Sequence, residues 1–198
     1  MVKYFLDCGT NLGQGLTHFN KKFNLINNPE WVIYCFEPNK YIDLKTIFPN
    51  ANNIIRFQKA VWNKNEILKF KIMCPNNTKH GAGSKLDCIT KMWHPDNVTS
   101  LYDDVEAIDF SEFLNTLNGE IIVKMDIEGS EFNVMDHLIK TNTISKISEI
   151  FVETHGRFMF DWCDGNPGRN PHHLEIQKIE TDFINKISKY IPNVHKWD

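Results

Sequence analysis

The chain has 198 residues, 41% hydrophobic and 24% charged, a size and balance that suit one globular domain. Its net charge of −3 supplies no overall basic field of the kind that drives nonspecific nucleic-acid binding, so no nucleic-acid partner is expected. No apolar run reaches the ~18 residues of a membrane span and no basic-then-apolar leader opens the chain, so a cytoplasmic protein with no membrane partner is expected.

In chain order, KYFLDC reads as a first strand and Leu16 to Phe23 as the helix behind it. WVIYCFEP, residues 31–38, is an almost continuously apolar second strand, the pattern of a strand buried on both faces. Tyr41 to Phe48 reads as helical, and IIRFQKAV (54–61) as a third strand with a hairpin partner at EILKFKIM. IIVKMDIEG (121–129) is a fourth main strand, and Phe132, Met135, Leu138 and Ile139 mark one face of the helix that follows. EIFVETH (149–155) is a fifth; Ile176, Ile179, Phe183, Ile187 and Ile191 recur at helical spacing in the last long helix, and NVHKW ends the series as a short strand. Strand and helix alternate, which predicts an α/β fold with a mostly parallel central sheet and helices on both faces. Ligands of such sheets bind beyond the carboxyl ends of the strands, where the strand order reverses.

Two stretches fit no regular element: 74 to about 104, polar and containing HGAGSKL, and 156–172, which mixes Gly and Pro with Phe158, Phe160 and Trp162. Loops this long in a compact domain tend to carry function. The second is read as an acceptor-binding loop or as a surface cover over an apolar edge. The five cysteines form no C-x-x-C pair and suggest neither a disulfide framework nor a thiolate zinc site. Cys8 and Cys35 fall in strands, where a buried free thiol is the ordinary expectation.

DCGTNLGQG, Asp7 to Gly15, joins the first strand to its helix. Strand, glycine turn and helix form a unit that lets a ligand approach the backbone and the free N–H groups of a helix start. A P-loop would need a Lys after the glycines, and a dinucleotide fingerprint would need G-x-G-x-x-G; Gly9, Gly13 and Gly15 give G-x-x-x-G-x-G. Asp7 would repel a pyrophosphate but suits a cationic amino group, and S-adenosylmethionine carries one together with a sulfonium and no phosphate. Glu37, at the end of the second strand, is placed to hold both hydroxyls of a ribose. That role is shared by NAD and S-adenosylmethionine, and either acid could instead serve the fold.

The third cluster is KMDIEGSEF, Lys124 to Phe132. DCGTNLG, CFEPN, HGAGSKL, VEAIDFSEFL and VKMDIEGSEF stand in the order, and at about the separations, of the FkbM-type S-adenosylmethionine-dependent methyltransferases, which the chain resembles from about residue 4 to 155. The resemblance implies a Rossmann-like class I methyltransferase fold and usually O-methylation, often of sugars or polyketide-type metabolites. It implies cofactor binding by Asp7, Gly9, Asn11, Gly13 and Glu37, to which Thr10, Pro38 and Ala60 are added as neighbours, and an active-site role for Asp126. The family usually has chain ahead of its glycine motif, so a domain cut from a longer polypeptide is one expectation.

A hydroxyl is a weak nucleophile and benefits from a base. Asp126, Glu128, Glu153 and His155 all fall near strand ends. Two mechanisms follow: Asp126 or His155 takes the proton, or Asp126 and Glu153 hold a divalent cation, Mg²⁺ or Mn²⁺, that acidifies the hydroxyl. Glu128 either contacts the acceptor or orients the turn at Gly129; Glu131 reads as a first-turn acid favoured by the helix dipole. Arg157 and Trp162 are the expected contacts to a small-molecule or sugar acceptor. An NAD-dependent oxidoreductase and a non-catalytic cofactor-binding domain are the competing functions.

Overall fold

The computed structural model describes residues 2–74, 84–86, 99–160 and 171–197. A six-stranded, wholly parallel sheet runs through it, built from β1 (Lys3–Cys8), β2 (Trp31–Phe36), β3 (Ile54–Phe57), β8 (Glu120–Met125), β9 (Glu149–Val152) and β10 (Asn193–Lys196). Their spatial order is β10-β9-β8-β1-β2-β3. β1 pairs with β2 on one side and β8 on the other, with Asp7 opposite both Cys35 and Lys124. The chain leaves β1 towards β2 and β3, then returns to β8 and moves the other way. The gap at the carboxyl ends of β1 and β8 is therefore the point where the order reverses.

Position explains the apolar runs. Phe5, Leu6, Ile33, Cys35, Val123 and Met125 are buried because their strands are covered on both faces. On one face, helix α1 (Gln14–Phe23) presses Leu16 and Phe19 against Phe5 and Phe151; on the other, α2 (Phe110–Asn115) and α3 (Glu131–Lys140) contribute Leu114, Val134, Met135 and Leu138 to a second core. Helix α4 (His173–Ile187) adds Phe183 and Ile187, and Phe183 packs 4.7 Å from Phe132 between ring centres. Cys8 and Cys35 are free and buried, as their strand positions suggested.

Three stretches depart from the sequence reading. Tyr41 to Phe48 holds only a 3-10 turn at Leu44–Thr46. Phe48 is left-handed with φ 48°, and Arg56 donates to the carbonyls of Leu44, Ile47 and Phe48 at 2.8–3.0 Å, satisfying oxygens that a helix would have bonded internally. The single strand expected over 54–61 divides at Gln58 and Lys59 into β3 and β4 (Ala60–Trp62), which belong to different sheets. Strand β5 (Glu66–Cys74) is consequently no hairpin partner of that stretch. It pairs antiparallel with β7 (Thr99–Asp109), and β7 also pairs parallel with β4. The second sheet, in the order β4-β7-β5-β6 with β6 at Lys85–Leu86, takes in residues expected to be irregular at 99–104. Asp103, Asp104 and Glu106 disguise β7 as loop, and Lys40, Lys69 and Lys59 pair with them at 2.5–2.6 Å. Its inner face is apolar: Phe70, Ile72, Leu86, Val105 and Ala107 join the core of the main sheet.

Candidate active site

The turn after β1 is shaped by backbone that few residues adopt. Gly9, Asn11 and Gly13 have φ of 79°, 47° and 82°. Gly9 is also pressed on the end of β8: a Cβ there would lie 1.8 Å from the Asp126 carbonyl oxygen. The glycine therefore lets the two strand ends that flank the reversal point meet. Thr10 closes the turn from within, its hydroxyl donating to the Asp7 carbonyl at 2.9 Å.

Beneath this turn lies a buried ion group. The Lys124 ammonium donates to the Gly9 carbonyl at 2.8 Å and lies 3.3 Å from Asp126 and 3.5 Å from Asp7. Asp7 is wholly buried; burial pushes its carboxyl upward against the opposing pull of Lys124. A lysine in an apolar strand normally snorkels to solvent, so the KMDIEGSEF motif alone gives no sign of a buried role for Lys124. Here it ties the glycine turn to β8.

Above the turn opens a cleft enclosing about 610 Å³, part of it open to solvent. Gly9 and Asn11 line it from the first turn, Glu37, Pro38 and Asn39 from the end of β2, and Asp126, Ile127 and Glu128 from the end of β8. Ala60 and Val61 form a further wall, and Phe70, Lys85 and Leu86 of the second sheet cover it. Asp7, Thr10 and Gly13 support this surface from below without lining it. The Glu37 carboxylate is fixed by the N–H groups of Asn11 and Asn39, one on each oxygen at 2.8 Å. Burial raises its pKa to about 7 despite those bonds. The Asn11 side-chain oxygen is buried and accepts no hydrogen bond among the described residues.

At the far end, past β8 and β9, four carboxylates surround one histidine. His155 is 1% exposed; its Nδ1 lies 2.8 Å from Glu131, and its Nε2 lies 3.3 Å from Glu153, 3.4 Å from Glu128 and 3.9 Å from Asp126. Burial alone would lower its pKa, but the bonds to Glu131 and Glu153 and the field of the remaining carboxylates raise it to about 10. Asp126, Glu128 and His155 each offer one ligand atom within 4.8 Å of the others, a grouping in which Glu128 stands where the sequence suggested Glu153. Glu153 lies beside it. Asp126 and Glu128 lie beyond the last residue of β8, and Glu128 has φ 53°, so the turn gathers them here, with no help from strand alternation.

Glu131 does more than complement a helix dipole. Its buried carboxylate accepts from the N–H groups of Ile127 and Gly129 at 3.0 and 2.8 Å while holding His155, and so fixes the whole turn after β8. Arg157 lies 4.0 Å from Glu128 and is half exposed. Trp162 lies outside the described residues, as does most of the loop to which it belongs.

A family model for the methyltransferase FkbM domain matches residues 7–188, nearly the whole chain. The chain belongs to the FkbM methyltransferase family. No curated protein and no solved structure matches it. The FkbM family implies S-adenosylmethionine as methyl donor, and the cleft suits that molecule: a fixed carboxylate at the end of β2, an orphaned buried oxygen on Asn11, and glycine backbone between them. None of the described helices is long and apolar enough to cross a membrane.

Proposed function

We propose that this FkbM methyltransferase is a cytoplasmic O-methyltransferase acting on a hydroxyl of a small molecule or sugar. The observation that carries the reading is that Asp126 lines the cleft between the glycine turn and the carboxylate cluster beyond β8 and β9. Glu37 would accept the ribose hydroxyls, Asn11 the ammonium through its orphaned oxygen, and Pro38 and Ala60 would flank the adenosine. Asp7 acts on the cofactor through Lys124 and the turn that they brace. When bound, S-adenosylmethionine supplies a methyl group already activated by its sulfonium.

The protein's part is alignment and removal of a proton. Asp126 takes the hydroxyl proton. His155, raised to about 10, is an imidazolium at neutral pH and holds the carboxylates in place. Lys124 keeps Asp126 pointed into the cleft from below. A second reading is favoured by the grouping of Asp126, Glu128 and His155: these three would hold a divalent cation, with Glu131 orienting the His155 ring from its other nitrogen, and the cation would supply a Lewis acid for the hydroxyl.

Release of S-adenosylhomocysteine in the presence of hydroxylated acceptors tests the role of Asp126. Asp126→Asn should lower kcat by about 10²–10⁴, the usual contribution of a positioned base, with much less change in cofactor affinity. Near-normal kcat in that variant would remove Asp126 from the chemistry in both readings. EDTA should leave turnover intact if Asp126 acts alone, whereas loss restored by Mg²⁺ or Mn²⁺ would select the cation.

A further inference from the structure

Two lysines are buried among the described residues, and their surroundings differ. Lys124 has a carbonyl and two carboxylates within 3.5 Å. Lys85, 2% exposed and lining the cleft from β6, makes no hydrogen bond or ion pair among the described residues; its ammonium lies 3.9 Å over the face of Phe158. The side chain is packed away from solvent, while the ammonium in the lining of the cleft has only a ring face beside it among the described residues, which leaves its hydrogen-bond donors available to a ligand in the cleft. The Arg157 guanidinium lies 4.8 Å over the same ring, half exposed, and brings a second cation beside Glu128.

We propose that Lys85, assisted by Arg157, binds an oxyanion of the acceptor, so that the molecule methylated is a hydroxyl compound bearing a carboxylate or phosphate. The proposal rests on the methyltransferase reading above and narrows its substrate class. Phe158 stacks on His155, with ring centres 5.4 Å apart, so Lys85 faces the ends of β8 and β9 where the acceptor must meet Asp126. Glu37, Pro38 and Ala60, assigned to the adenosine, lie past β2 and β3 instead. Burial lowers the Lys85 ammonium to about 8, against the upward pull of Glu128, and a bound oxyanion would restore it.

Inorganic phosphate is the probe. It is titrated by calorimetry into wild type, Lys85→Met and Lys85→Arg, each alone and saturated with S-adenosylhomocysteine. Wild type should bind phosphate in both states, Lys85→Met at least tenfold more weakly, and Lys85→Arg within a few-fold of wild type; S-adenosylhomocysteine affinity should be the same in all three. A thermal melt of Lys85→Met at or above that of wild type establishes that the variant is folded. In turnover, acceptor pairs matched except for a carboxylate or phosphate should show a preference for the anionic member that Lys85→Met removes. Phosphate binding that is absent in wild type, or unchanged by Lys85→Met, overturns the proposal. So does weakened S-adenosylhomocysteine binding in Lys85→Met together with loss of phosphate binding in the saturated protein, since the lysine would then hold the cofactor's own carboxylate. Absence of turnover with every acceptor would count against the methyltransferase reading alone, because the phosphate titration needs no catalysis.

Discussion

Glu37 shows how a buried carboxylate can be fixed in place and still keep room to accept the ribose hydroxyls proposed above. Each of its oxygens already accepts a backbone N–H, from Asn11 and from Asn39, so its position is fixed while lone pairs remain for a ribose. Burial raises its pKa to about 7. A raised acid is protonated below that value and ionised above it, and only the ionised form accepts two hydroxyl donors. S-adenosylhomocysteine should therefore bind up to about tenfold more tightly at pH 8 than at pH 6, a trend that Glu37→Gln should abolish while weakening binding at pH 8 by roughly 1.5–3 kcal/mol. A pH-independent affinity in wild type would detach Glu37 from the ligand. Glu37, Gly9 and Asn11 stand around the cleft as their strand-end positions suggested, whereas Asp7, read as a contact to a cationic amino group, lies beneath the turn and outside the lining. The roles of Lys124 and Glu131 were not legible in the sequence, since a lysine in a strand and an acid in a first helical turn have ordinary explanations, and only tertiary contact shows that one braces the glycine turn and the other the turn after β8.

At the scale of elements, the site depends on two turns pressed together, the one after β1 and the one after β8. Gly9 is the contact between them. Gly9→Ala would place a methyl group 1.8 Å from the Asp126 carbonyl oxygen at a φ of 79°, so the variant should lose roughly 2–4 kcal/mol of stability and bind cofactor poorly even where it folds. Thermal unfolding at the wild-type temperature would mean that the turns can separate without cost. The strands and long helices of the main sheet were readable from apolar runs and helical spacing, apart from the extent of β3. What escaped was set by long-range pairing: Arg56 holds Tyr41 to Phe48 out of a helix, and lysines from elsewhere in the chain balance the acids of β7. EILKFKIM and HGAGSKL stood out in the sequence, but the sheet through which they roof the cleft escaped for that reason, and with it the covering role of Phe70, Lys85 and Leu86.

For the molecule as a whole, the strand order decides where chemistry can occur. Reversal between β1 and β8 brings the glycine turn, Glu37 and Asp126 to one opening, although more than a hundred residues of chain separate Gly13 from Asp126, and the second sheet closes over it. Methyl transfer needs little else: an electrophilic carbon held at one end, a hydroxyl at the other, and a proton acceptor between. The most direct test of this account is to incubate the protein with S-adenosylmethionine labelled with ¹³C in its methyl group and a panel of hydroxylated sugars and metabolites. The labelled carbon is then located by NMR. The account predicts release of S-adenosylhomocysteine and a labelled methyl bonded to an acceptor oxygen, in a yield that collapses in Asp126→Asn. A label found on nitrogen or carbon, or equal transfer by Asp126→Asn, would contradict it.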